Sequence, residues 1–273
     1  MQHAEDSWPI AFITLLFSAL ILGRVLLARY GKLPTIRRIA GLNAIEEAVG
    51  RATEMGRPIL MVPGVGGIGS DPLDTIPTLN AMSIFSYITR IIAKFGTHSV
   101  MATADPVVTG VAEDVLRDAY NDAGKPELFN TDDVRFLSDR QFAFASGVAG
   151  LVERERPAAT FLIGAFYAES LILAEMGQRV GAIQIAGTNQ TVQLPFFIAS
   201  CDYVLIGDEF YAASAYISKN PELLGSIVGQ DYCKLLIILA IFIGTIAVSL
   251  LDAHLLHGAF SALFQHFADF FKE

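Results

Sequence analysis

The densest cluster of chemically suggestive residues follows the first apolar run of the central region, in PGVGGIGSD. There Gly64, Gly66 and Gly69 fall at GxGxxG spacing with Gly67 between them. After a strand, that spacing lets a backbone approach a pyrophosphate at a helix N-terminus. The surroundings argue against a dinucleotide. Pro72 and Pro77 stand where the first helical turns should open, and the next strand-end carboxylate, Asp105, is about 36 residues beyond Gly69 rather than about 20. No lysine follows Gly69, so the loop is not a Walker A site. A flexible loop at a subunit contact is the other reading of these glycines.

Further polar residues fall just after predicted strands: Asp105, Asp139, Tyr167, Glu169, Thr188, Asn189 and Asp208. If their loops converged, Asp105, Asp139, Asp208 and Glu209 would suit a hard cation such as magnesium. As helix N-caps they would instead satisfy orphan N–H groups, the simpler account. Tyr167 and Glu169 have the types of an acid and base pair. No GxSxG elbow is present and no histidine lies on a predicted strand-end loop, which leaves a hydrolytic triad without its base. His98 precedes a strand and reads as structural. These residues, with the four glycines, form a candidate ligand-binding rim. No catalytic residue, metal site or cofactor is assigned, and a nucleotide or Mg2+ is the alternative for that rim.

Six apolar runs would position the rim: Ile59 to Val62, Ser99 to Thr103, Val134 to Leu137, Thr160 to Ile163, Ala182 to Ile185 and Tyr203 to Ile206. Helical patterns alternate with them, around Val107 to Ala123, Gln141 to Arg154, Ala168 to Met176, Leu194 to Ala199 and Phe210 to Ile217, and another follows Pro77. Right-handed crossovers turn this alternation into an α/β fold, a mostly parallel Rossmann-like sheet covered by helices. Asn43 and Glu46 have capping-box spacing, so a lead-in helix is expected from Asn43 to Gly56.

Apolar segments flank this domain. Pro9 to Leu27 and Leu235 to Leu251 are long enough, or nearly so, to cross a bilayer, and they account for a composition that is 53% hydrophobic and 17% charged. Glu5 and Asp6 precede the first segment, whereas Arg24, Arg29, Lys32, Arg37 and Arg38 end or follow it. The positive-inside rule therefore predicts exported termini and a cytoplasmic domain. The expected layout is an exported N-terminus (1–8), a span (9–27), a basic juxtamembrane and lead-in segment (28–56), the α/β domain (57–231) and a second span (235–251). An amphipathic interfacial helix (254–272), with Leu255, Phe260, Phe264 and Phe267 on its apolar face, completes it.

Between Ala40 and Asp231 there are 23 acidic residues against 12 Lys and Arg, although the whole chain has a formal charge of −9. Such a domain lacks the clustered cations that phosphate contacts need, which excludes nucleic acid as a partner. Cys201 and Cys233 form no CxxC or zinc pattern and are expected reduced.

The segments GLNAIEEAVGRATEMGRP, QIAGTNQTVQLPFFIASCDYVLIGDE and LLGSIVGQD resemble a bacterial membrane-anchored family classed as a domain of unknown function. The resemblance covers Ile39 to Asp231, and implies a membrane-associated α/β domain without an activity, cofactor or catalytic residue to transfer. The expected role is a non-enzymatic scaffold in the bacterial inner membrane, partnered by the bilayer and by copies of itself or subunits of a larger complex. A sensor or enzyme for a small ligand is the alternative.

Overall fold

A computed structural model describes residues 8–31, 39–69, 71–218 and 220–252. The basic residues Lys32, Arg37 and Arg38, the exported N-terminus and the expected helix over 254–272 lie outside these described residues. The chain divides into two compact units, one within Ile36–Lys219 and one made by the described parts of Met1–Thr35 and Asn220–Glu273.

In the first unit, helix α2 (Ala40–Met55) precedes strand β1 (Ile59–Gly64), α3 (Pro72–Phe95), β2 (Ser99–Thr103), α4 (Pro106–Asp122) and β3 (Val134–Phe136). The second half runs α5 (Gln141–Glu155), β4 (Ala159–Ala165), α6 (Ser170–Arg179), β5 (Ile183–Thr188), α7 (Leu194–Ser200), β6 (Tyr203–Ile206) and α8 (Asp208–Ser218). The six strands pair in parallel in the order β3-β2-β1-β4-β5-β6. That is the doubly wound order, with its switch point between β1 and β4. Strands β1, β2 and β4 are buried throughout, as continuous apolar runs in a sheet covered on both faces must be.

The twofold alternation of a strand divides the core. Ile59, Met61, Phe161 and Ile163 pack with Ile45 and Val49 of α2, Phe85 and Ile88 of α3, Leu116 of α4 and Phe210 of α8. Leu60, Val62, Val100 and Leu162 point the other way, onto Phe144 and Leu151 of α5, Leu173 of α6 and Phe197 of α7.

Two helix starts differ from those the sequence suggests. Helix α2 opens at Ala40 with Ile39 as an N-cap that makes no side-chain bond, so Asn43 lies inside the helix. Burial of Leu42, Ala44 and Ile45 extends it past the capping-box signal. Gly56 ends it in the left-handed conformation, φ 62°. Helix α3 opens at Pro72 rather than after Pro77. Proline is tolerated at the first helical position because its missing N–H would have no intrahelical partner there, and the Asp71 carboxylate accepts from the Leu73 N–H at 2.9 Å.

The second unit is a pair of helices, α1 (Trp8–Arg29) and α9 (Pro221–Asp252). Both are long and apolar enough to cross a bilayer, over Ile10–Arg29 and Pro221–Ile246. Helix α9 begins well before the expected start at Leu235, so the segment LLGSIVGQD belongs to it. The helices run antiparallel in close contact. A Cβ on Gly225 would stand 2.8 Å from the Val25 Cα, and one on Gly229 would stand 2.9 Å from the Ile21 Cα. One turn further, Cys233 is buried with its Sγ 4.0 Å from the Phe17 carbonyl oxygen. Gly225, Gly229 and Cys233 thus form a small-residue seam at four-residue spacing, which lets two apolar helices approach backbone to backbone. Arg24 stacks its guanidinium 4.0 Å from the Tyr232 ring centroid, and Arg29 pairs with Glu222.

Candidate functional site

Doubly wound sheets bind ligands outside the carboxyl ends of their strands at the switch point, here between the loops after β1 and β4. In this chain the two strand ends press against each other. Gly64 has φ +87°, and a Cβ there would lie 1.9 Å from the Ala165 carbonyl oxygen. Gly164, at φ +147°, faces Pro63 in the same way, with its imaginary Cβ 2.1 Å from that carbonyl oxygen. Only glycine permits both the left-handed backbone and the approach. The pairing shifts register between Val62 and Gly64, and the Val65 N–H donates to the Ala165 carbonyl at 3.0 Å. Gly66 is buried, and a Cβ there would meet the Ala165 Cβ at 2.5 Å. Gly67 is half-buried in the same loop, while Gly69 faces open space and donates its N–H to the Thr75 hydroxyl at 3.0 Å.

Carboxylates occupy the N-terminus of α3, where a pyrophosphate would sit. Asp71 caps the helix, and Asp74 in its first turn accepts a hydrogen bond from the Tyr167 hydroxyl. An incoming phosphate would meet like charge before it met the helix dipole. The bond to Asp74, with partial burial second, pushes the Tyr167 phenol up to about 12, so Tyr167 keeps its proton near neutral pH and offers no phenolate base. Beneath it Glu169 is wholly buried. Its carboxylate accepts from the Tyr167 N–H at 3.0 Å and from the Gln141 amide at 2.6 Å. The next residue, Ser170, donates to Gln193 at 2.8 Å.

The switch point therefore brings together Gly64, Gly66, Tyr167 and Glu169, and adds Asp74 and Gln141. Neither addition was among the sequence candidates. Asp74 is signalled by its place in the first turn of a helix; nothing in the sequence marks Gln141. The remaining candidates belong to other strand-end loops. Asp105 caps α4, accepting from the Val107 and Val108 N–H groups at 2.7 and 2.9 Å, and Asp139 is exposed ahead of α5. Thr188 is buried at the end of β5, where its hydroxyl accepts from the Gln190 N–H at 3.2 Å. Beside it the Asn189 side chain lies near Tyr211, whose phenol is raised by burial, and Asn189 Oδ1 is buried without a hydrogen-bond partner. Asp208 opens α8. Among the described residues no three His, Cys, Asp or Glu side chains come close enough to hold a metal ion.

At the opposite end of the sheet, His98 Nε2 lies 3.0 Å from Asp133 Oδ1. Burial raises the Asp133 carboxyl, with the histidine pulling the other way. Cys201 is partly buried, and desolvation pushes its thiol up to about 12, which makes it a poor nucleophile.

Fold and site together define a doubly wound α/β domain whose switch point is packed backbone to backbone, carried on a chain with two apolar terminal helices. The chain belongs to the family described as Domain of unknown function (DUF6754), whose family model matches residues 2–258. Comparison with curated proteins and with solved structures finds no significant match.

Proposed function

We propose that this protein is a membrane-tethered, non-enzymatic scaffold that self-associates or joins a larger complex in a bacterial inner membrane. Its α/β domain lies on the cytoplasmic side and both chain ends are exported. The α1–α9 pair carries this reading. Its small residues lie on the seam between the two helices, while Leu15, Ile238 and Phe242 elsewhere on the pair are each more than 60% exposed, as lipid or a neighbouring subunit would require. Packing of the β1 and β4 ends against each other also supports a role other than nucleotide chemistry. Gentle detergent extraction followed by mass measurement tests the proposal. A multiple of one chain, or a defined larger complex, is expected; a monodisperse monomer would overturn it.

Glu169 favours a second reading, a small-ligand sensor or enzyme at the strand-end loops, because a wholly buried carboxylate beside the switch point is costly unless it has a use. That reading predicts a rise in unfolding temperature with a nucleotide or magnesium, absent from Glu169→Gln. A flat response across such ligands eliminates it.

A further inference from the structure

Helix α9 turns two different faces to its surroundings. Gly225, Gly229 and Cys233 lie against α1, and at about 100° per residue Asp231 and Lys234 stand about 200° and 140° round the helix from Gly229, on the far side. On that far side Asp231, Lys234, Ile238, Ile241 and Thr245 recur at steps of three and four. All five are exposed, Ile238 by 66% and Ile241 by 61%. Such spacing is that of a coiled-coil seam, here facing away from α1.

The contacts with α1 also set the depth of the two charges. Gly229 packs on Ile21 and Cys233 on Phe17, so Asp231 lies level with Ala19 and Lys234 with Leu16. With 22 residues α1 is about 33 Å long, which leaves little to spare in crossing a hydrocarbon layer of about 30 Å. Ala19 falls about 14 to 15 Å from either end of Ile10–Arg29, so a membrane-spanning α1 carries Asp231 to the middle of the layer. Lys234 Nζ stands 3.9 Å from Asp231 Oδ1, with the two side chains 50% and 65% exposed. Ionised groups at that depth are costly against lipid and are held by protein.

We propose that α9 of a second copy of this chain covers this face, the two helices packing in parallel along the stripe with Asp231 of each accepting from Lys234 of the other. A second copy fits because any two copies in one membrane run parallel at the same depth. Each therefore brings its Lys234 within one helical turn of the other's Asp231. The four charges alternate in sign and sum to zero, and polar residues in an otherwise apolar seam fix its register. This contact rests on the membrane-tethered, self-associating reading and assigns the face that reading uses.

Co-isolation of two differently tagged copies of the full chain from mild detergent tests the charges. Asp231→Lys chains and Lys234→Asp chains should each co-isolate with themselves at least tenfold less than unaltered chains do. A mixture of the two should recover, since one variant then carries two cations and the other two carboxylates. Undiminished co-isolation of either variant, or a loss that the mixture does not restore, overturns the contact. Disulfide formation in native membranes checks the same face without changing its charge. Ile238→Cys and Ile241→Cys should each link to the same residue of a second copy, whereas Leu239→Cys, exposed but off the stripe, should not. Linkage to a different polypeptide, equal linkage of all three, or none at all counts against it. Mass measurement on the same extracts separates the two ideas: copies that assemble without the Ile238 link defeat this inference alone, and a monomer defeats both.

Discussion

Gly64 and Gly164 show how one residue type can signal a ligand and serve a steric end. Gly64 and Gly66 of the GxGxxG spacing stand where the end of β1 meets β4 too closely for a Cβ, and nothing in the sequence distinguishes a backbone that must approach a phosphate from one that must approach a carbonyl. Gly64→Ala puts a methyl group 1.9 Å from the Ala165 oxygen at a φ that L-residues avoid. It should cost about 3 kcal/mol or more, measured by denaturant unfolding of the full chain in detergent. Gly69→Ala meets no neighbouring atom and costs only its strain at φ +97°, so it should lose about 1 kcal/mol. Tyr167 gives a second residue-scale test. Its neutral form is held by Asp74, so its folded value of about 12 lies above the ordinary 10. The sign follows from linkage: whatever stability this bond adds is present in full below pH 10 and is lost as the pH rises toward 12. Ultraviolet titration of the phenolate should place Tyr167 near 12, and Asp74→Asn should bring it down toward 10. A Tyr167 that already titrates near 10 in the unaltered protein would show that the contact does not persist in solution.

At the scale of elements, the strands were legible because fully buried parallel strands are uninterrupted apolar runs, and β6 falls at Tyr203–Ile206 as its sequence predicts. Helix starts were legible only where a side-chain cap decides them. Asp105 caps α4 at the expected place, but packing of Leu42 and Ile45 overrides Asn43 at α2, and Pro72 begins α3 where proline would be taken as a barrier. The α9 start is the instructive miss. Leu235 to Leu251 stands out by hydropathy, whereas Gly225-x-x-x-Gly229 identifies the packing face and lies before it, in a stretch polar enough to resemble the domain. Gly229→Leu should force α1 and α9 apart, and the chain contains its own reporter. Cys233, buried against α1, should react with a membrane-permeant maleimide in Gly229→Leu at least tenfold faster than in the unaltered chain, while Cys201, partly buried and with its thiol raised, should react at the same slow rate in both. Equal Cys233 reactivity in the two proteins would mean that the seam does not hold the pair together.

For the whole molecule, the distribution of charge becomes an argument about orientation. Arg24 and Arg29 lie in the last two turns of α1, and Lys234 lies near the middle of α9, ahead of the apolar run that ends at Asp252. With the domain on the proposed cytoplasmic side, the basic last turns of α1 would face inward, as the positive-inside rule asks. The candidate rim was legible as a set of loop residues, but the exposure of Leu73 and Phe142 beside it was not, because it depends on how separate helices meet one sheet. Orientation can be tested directly, since a single added thiol at Leu73→Cys is exposed, while Cys233 is buried and Cys201 partly buried. In intact cells a membrane-impermeant maleimide should leave Leu73→Cys unlabelled, and in inside-out vesicles it should label it. Labelling in intact cells would place the domain outside and reverse the orientation proposed for both helices.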